Sequence, residues 1–346
     1  MKLLKRKDDK KTEQEKVEER REEVLAAGRK FKYPLQWTKH RVVINTVLIA
    51  IVVLGIIITS GWLALYRFNM TDEMLFRITK ILPVPVAEVD GEKVLFSDYL
   101  MLYRSSIISV ERQSSQNDTR GSLDDLRSQY RRDALTEAEE FAYATKLANE
   151  QGITVTNDEI AEEFTRHLNI GGTERSEESF LKIVSDNFGL NKSEYERILY
   201  LSLIKSKVEM AIDEKANKTS TKVEQMLAGN GGDYAAVAEA LGSSIIYEET
   251  GGMVSSQNID GGRASEAIKL EPGQQSGRFV SINGDGYYFV KLIKKTDDEV
   301  NFVSIRVPFT EFSQRFEALR SDNKISEFIT ASSPAPEQNL EVAPEQ

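Results

Sequence analysis

The sequence predicts an α+β protein carried on a single transmembrane helix. A mostly helical module follows the span, then a small antiparallel-sheet domain, then a helix and a strand that return to the helical module. Three observations lead to this reading. Residues 42–66 form an uncharged run between Arg41 and Arg67. From residue 97 to residue 214, apolar residues recur at helical spacing between capping residues. From residue 279 to residue 307, short β-rich runs flank a hairpin signal.

At about 1.5 Å per residue, the run 42–66 extends roughly 37 Å as a helix, enough to cross a hydrocarbon core of about 30 Å with some tilt. Its Val and Ile residues cost little in lipid, where satisfying the backbone internally matters more than helix propensity in water. Trp37, Trp62 and Tyr66 lie near its ends, where amphipathic rings favour the interface. A signal peptide has a shorter apolar core after a short basic start, whereas here a long polar segment precedes the run, so a retained anchor is expected. Residues 1–41 carry a net charge of +6 within a total of −10, which leaves −16 for residues 42–346. The positive-inside rule then places the N-terminus in the cytoplasm and the large remainder outside, in the plasma membrane's extracytoplasmic space.

Residues 1–27 alternate charges so densely that a solvated helix or a disordered tail is all they can form. The following stretch, 28–41, mixes five basic residues with Phe31, Tyr33 and Trp37, which suits anionic headgroups or simply sets topology. Residues 67–83 read as a linker. Pro83 and Pro85 forbid a continuous helix, Val86–Val89 reads as a strand, Asp90–Gly91 as a tight turn, and Lys93–Leu95 as the returning strand. Ser97 is expected to cap a helix from Asp98 to about Ser109, with Leu100, Tyr103 and Ile107 on one face. A polar loop covers 114–122, and a further helix starts at Leu123.

The next helices are well punctuated. Thr136–Glu150 ends at Gly152, a C-cap glycine. Thr156 and Glu159 form a capping box ahead of Ile160, Phe164 and Leu168. Phe180–Phe188 is stopped by Gly189, and Asn191 with Glu194 opens the longest helix, running to about Glu214. A break is expected at 215–219. Two helices then flank a glycine-rich turn, one carrying Val223, Met226 and Leu227, the other Tyr234, Val237 and Leu241. Strands follow at Phe279–Ile282, Tyr287–Leu292 and Val300–Val307, then a helix near Glu311–Arg320 and an extended segment at Lys324–Ile329. The Pro- and Glu-rich tail, 331–346, is expected to be disordered.

Composition narrows the chemistry. The chain has no cysteine, so disulfides, thiol nucleophiles and thiolate metal sites are excluded. Its two histidines, His40 and His167, abut the span and fall late in a helix, where packing or solvation accounts for them. The acidic balance beyond the span argues against nucleic acid as a partner. The glycine-rich turns lack both the Walker lysine and the dinucleotide spacing, so no phosphate-binding cofactor is expected.

The strand–turn–strand VAEVDGEKV with its capped helix, then LTEAEEFAYATKLANEQGITVTNDEIAEEF, then FLKIVSDNFGLNKSEYERILYLSLIKSKVEMAI, resembles the N-terminal helical domain of the SurA/PrsA class of extracytoplasmic foldases over residues 84–214. Residues 220–307 resemble the later part of a parvulin-type prolyl isomerase domain, through Asp233-Tyr234, Gly251-Gly252, Ala267–Gly273 with Ser276, and Gly286-Tyr287. The departures fall on the site: Tyr288 stands where the resemblance implies the histidine of the last strand, Ala264 near its proline-pocket Phe and Asp260 near its Met. The first strand with its own histidine is missing before Val223. Val300–Val307 has that strand's pattern, with Ser304 at the histidine position, and could complete the sheet from the other end. Residues 308–330 resemble the segment by which such foldases return to their helical module.

The resemblance implies a membrane-anchored extracytoplasmic chaperone that binds unfolded or exported polypeptides, with a degenerate isomerase domain and no cofactor. Two other functions remain open at this stage: a working peptidyl-prolyl isomerase with a rearranged site, and a structural envelope tether. Client binding separates the first from the last, and accelerated cis–trans exchange singles out the enzyme.

Overall fold

The computed structural model describes residues 13–114, 120–169 and 175–330; most of the loop expected at 114–122, the start of the charged N-terminal stretch and the tail from Ala331 lie outside the described residues, as do the side-chain roles expected at Phe31, Tyr33, Trp37 and His40. The chain divides into two compact units at Phe68/Asn69. The first is one helix, α1 (Glu13–Trp62), closed by a π-helical turn at Leu63–Arg67. Of the two forms open to the charge-dense N-terminal stretch, helix is the one adopted from Glu13 onward. Within this unit, Arg41–Arg67 is long and apolar enough to span a membrane, and its Val, Ile and Leu side chains other than Leu65 are exposed. Thr46 donates to the Val42 carbonyl at 2.8 Å, which satisfies its hydroxyl inside the helix.

The second unit opens with a helix in what reads as a linker: α2 (Glu73–Ile81) follows Asp72. The proline pair at 83 and 85 masks this nine-residue helix in the sequence, and a Glu73–Arg77 pair one turn apart supports it. Strands β1 (Pro85–Val89) and β2 (Glu92–Leu95) follow as an antiparallel hairpin. Asp90 and Gly91 both take positive φ, 48° and 86°, the backbone a two-residue turn of this hand requires and glycine supplies without steric cost. Lys146 pins the turn by donating to the Asp90 carbonyl at 2.7 Å and pairing with its carboxylate.

Helix α3 (Phe96–Ser114) begins one residue before the expected Ser97 cap, because Phe96, Tyr99 and Leu100 are all drawn into the core. The two helices expected at Leu123 and Thr136 are one, α4 (Arg120–Gln151). The buried row Ala134, Leu135, Ala138 and Phe141 runs through Thr136, so no break is favoured there. Helix α5 (Asn157–Leu168) starts at the Thr156/Glu159 capping box, α6 (Glu177–Phe188) ends on left-handed Gly189, and α7 (Lys192–Ile212) starts at the Asn191/Glu194 capping box. His167 is part-buried against Tyr195 and Glu163, in a cluster with Phe164 and Phe180.

The break expected at 215–219 lies earlier. Asp213 ends α7 and, by accepting from the Ala216 amide at 2.7 Å, caps α8 (Glu214–Gly229). A carboxylate at this N-cap position makes a sharp helix-to-helix joint without glycine or proline. Helix α9 (Tyr234–Leu241) and strands β3 (Ile246–Glu249) and β4 (Val254–Ser255) follow, then α10 (Arg263–Ala267), β5 (Phe279–Val280), β6 (Gly286–Lys295) and β7 (Glu299–Pro308). The sheet order is β3-β7-β6-β5, all antiparallel, with β4 also pairing with β7. Thus Val300–Val307 lies in the middle of the sheet. One face packs on α8 and α9 through Val223, Leu227, Tyr234 and Val237 against Tyr287, Phe289, Val303 and Ile305.

After this sheet the chain returns. Helix α11 (Glu311–Ser321) sets Phe312 and Phe316 against Tyr143 of α4, with ring centroids 5.4 and 6.1 Å away. Strand β8 (Ile325–Glu327) pairs with β1, giving the order β2-β1-β8 and covering an edge that would otherwise invite pairing with another chain. Arg132 grips Glu327 with two bonds of 2.8 and 2.6 Å. Asp213 closes the connection from the other side, accepting from the Thr310 and Glu311 amides at 2.7 and 3.0 Å.

Glu139 lies fully buried beside Arg320, which donates to its Oε2 at 3.1 Å, while its Oε1 has no hydrogen-bond partner among the described residues. Burial, helped by the Glu327 carboxylate and opposed by Arg320 and Arg132, pushes its carboxyl up to about 7.

Two predictions follow from these buried carboxyls. Because the folded value for Glu139 exceeds that of an unfolded glutamate, its contribution to stability is complete below about pH 4.3 and is lost as the pH rises toward 7, by up to about 3 kcal/mol. In urea melts of residues 69–346, Glu139→Gln should remove that slope and raise the midpoint at pH 8; an unchanged pH dependence would show that Glu139 does not hold its proton. Asp213→Ala should cost on the order of 3 kcal/mol in the same melts, since three amides at a buried joint lose their acceptor; a loss under about 0.5 kcal/mol, the range of ordinary surface substitutions, would contradict the role given to it.

Candidate functional site

The sheet face turned away from α8 and α9 carries the polar groups. Register sets their positions: Tyr288 on β6 lies opposite Arg306 on β7, Val290 opposite Ser304, and Ser304 opposite Glu248 on β3. Paired residues share a face and side chains alternate along a strand, so Tyr288, Ser304, Arg306 and Glu248 project from the same side. Helix α10 covers part of it, burying Ala264, Ala267 and Leu270 against Val290, Leu292, Val300 and Phe302.

All four residues singled out in the sequence gather here. Asp260 accepts from the Ala264 amide with both carboxylate oxygens at 3.2 Å, so it works as a cap for the turn into α10. Ala264 is completely buried and presents only a methyl group to the sheet. Tyr288 and Ser304 come together through a residue the sequence did not mark, Arg263. Its Nε donates to the Asp260 carbonyl at 2.8 Å, its guanidinium pairs with Glu248 and reaches Ser304 Oγ at 3.4 Å, and it lies over the Tyr288 ring at 5.5 Å from the centroid.

A second group missed by sequence reasoning is Asp285, in the β5–β6 turn. It accepts from Tyr288 Oη at 3.1 Å and from Arg306 at 2.6 Å through Oδ2, and from the Ser281 hydroxyl through Oδ1. Arg306 was legible in principle, two residues after Ser304 and therefore on its face; Asp285 looked only like a turn residue. The turn also touches the helical module. Gly284 has φ 71° and lies so close to α7 that a Cβ there would sit 2.7 Å from Ser206 Oγ.

The electrostatics fix the protonation states. Burial and the Asp285 carboxylate push Tyr288 up to about 12, so it remains a phenol and a donor. Burial alone would raise Asp285, but the bonds from Ser281, Arg306 and Tyr288 outweigh it and hold the carboxyl below its usual range. Nearby on α7, burial pushes Glu209 up to about 7, with Lys205 opposing and the Glu140 and Asp285 carboxylates adding to the rise. Around this center Ile259 and Ile282 are exposed on the adjoining loops, with Ile282 packed over Gly262. Tyr288 and Ser304 are themselves buried, so what the arrangement leaves at the surface is part of the Arg263 guanidinium beside an apolar rim. Among the described residues, no cluster of His, Asp and Glu is placed to hold a metal ion.

Comparison with known proteins bears on the other end of the chain. A family model described as a SurA-like N-terminal domain matches residues 35–209, just over half of the sequence, from within α1 into α7. No curated protein matches the chain. The polar site on β6, β7 and α10 lies beyond the matched residues. On the strength of that match the chain belongs to the family with a SurA-like N-terminal domain.

Proposed function

We propose that this protein is a membrane-anchored, extracytoplasmic chaperone of the foldase type, which binds unfolded or exported polypeptides and carries a parvulin-like domain with little isomerase activity. Family membership supports the chaperone role, and the apolar stretch Arg41–Arg67 supports the anchor. The sheet supports the parvulin-like reading in permuted form. The strand missing at the start of the domain has its counterpart in β7, which follows the last strand of the resemblance and lies between β3 and β6. Ser304 and Tyr288 thereby occupy adjacent central strands, as the two histidines implied by the resemblance would.

The observation that carries the low activity is what fills that center. A catalyst must lower a rotation barrier of about 18–20 kcal/mol by seating the proline ring and easing the loss of amide resonance. Here the position the resemblance gives to the pocket's Phe holds the buried methyl of Ala264, Tyr288 Oη is already engaged by Asp285, and Arg263 lies over the Tyr288 ring with Ser304 Oγ within reach. An extended chain can still lie against Ile259, Ile282 and the exposed edge of the sheet.

Exchange of a short X-Pro peptide, followed by NMR with residues 69–346, should show no acceleration, while the same fragment slows aggregation of a denatured client. Strong acceleration that is lost in Tyr288→Phe would replace this reading with a working isomerase, and failure of both assays would leave a structural tether. Protease added to intact spheroplasts should leave a small protected fragment containing the N-terminus. Protection of residues 70–346 instead would invert the topology.

A further inference from the structure

Helix α2 packs on α3 through Phe76 and Thr79 and leaves an apolar stripe facing outward. Met74, Ile78 and Ile81 follow one another at helical spacing, and Leu82 extends the stripe; their exposures are 73, 39, 80 and 57 %. Met70, just before the helix, is 45 % exposed. Isolated exposed apolar residues are unremarkable, but three on one short helix with two more flanking it form a patch of the kind that marks an interaction surface.

Chain connectivity names the occupant. The apolar stretch ends at Arg67 and α2 begins at Glu73, so five residues join them. At about 3.5 Å per residue that connector reaches no more than about 20 Å, while the headgroup region adds only about 5–8 Å on each side of the hydrocarbon. A short tether therefore keeps α2 beside the bilayer surface at high effective concentration. Along the flank of the stripe Arg77 and Lys80 are exposed, with stems long enough to lie along the apolar boundary, and each is paired with a carboxylate, Arg77 with Glu73 and Lys80 with Glu194 at 3.0 Å. Glu73 is neutralized locally by Arg77 and Arg104, whose hydrogen bonds hold its carboxyl down to about 2.

We propose that α2 is an interfacial helix, which lays Met74, Ile78, Ile81 and Leu82 into the lipid surface next to the span and so sets the orientation of the second unit on the membrane. This rests on the anchored reading of Arg41–Arg67. The occupant is a bilayer surface rather than a client polypeptide, because the patch adjoins the span in sequence, on the first helix after it.

The absence of native cysteines makes the test direct. Full-length chain in liposomes of neutral and anionic phospholipid would carry one nitroxide at a time, on Ile81→Cys, Met74→Cys, Lys218→Cys on α8, or Ile57→Cys in the span. Collision with oxygen, which concentrates in lipid, is then compared with collision with a water-soluble nickel chelate. The oxygen-to-nickel ratio at positions 81 and 74 should exceed that at 218 at least threefold and approach that at 57. A ratio at 81 and 74 equal to that at 218, with 57 in lipid, overturns the interfacial helix while leaving the anchor intact. A water-like ratio at 57 overturns the anchor and this proposal with it. Labels at 81 and 74 that become shielded from both reagents only on adding a denatured client would make the stripe a client surface and overturn the lipid assignment.

Discussion

The Asp213 carboxylate joins two distant parts of the chain at one buried point. It caps the start of α8 and holds the first amides of the segment that leads into α11. The chain leaves the helical module at this point and comes back to it there after some ninety residues of sheet domain. Everything that follows the return, from the packing of Phe312 and Phe316 on Tyr143 to the pairing of β8 with β1, requires α11 to start in one direction. The sheet region is thus inserted in the chain between two points that lie side by side at Asp213, within one compact unit.

The second constraint lies where the inserted domain faces the module. Gly284 allows the β5–β6 turn to come against Ser206, and the neighboring Asp285 is then shared between a phenol, a serine and an arginine. A half-buried carboxylate with three donors is costly to rearrange, because each partner would lose its hydrogen bond. The network keeps Tyr288 neutral and oriented, and it links the floor of the candidate site to the position of α7. In this protein the polar center of the sheet is organized around holding its own groups in place.

Much of this was legible in the sequence, and the losses have physical causes. The two capping boxes, the Asp90–Gly91 turn and the glycine stop at 189 are local signals that depend only on neighboring residues, and each is found where its residues place it. The uncharged run was equally plain, being a matter of length and composition. Helix α2 and the joint at Asp213 were missed because tertiary packing decides them: α2 is too short to show a clear period, and Asp213 looks like any surface acid until its three amides are seen. The site was half visible. Tyr288, Ser304, Ala264 and Asp260 could be placed by pattern, but Arg263 comes to the same center from the start of α10 and Asp285 from the β5–β6 turn, and only tertiary packing on β6 and β7 brings them together. The position of β7 in the middle of its sheet follows from pairing partners that no local pattern encodes.

The pairing of β8 with β1 sets an order of events in time. Val89 lies opposite Ile325, so the three-stranded sheet β2-β1-β8 closes only after more than two hundred further residues have been synthesized. Contacts so far apart in sequence form late, since a long loop must close before they gain anything. Until then β1 offers an unpaired edge, and the newly made module is itself an incomplete chain in need of a strand. A protein of this design completes its own folding by capturing an extended segment of its own chain.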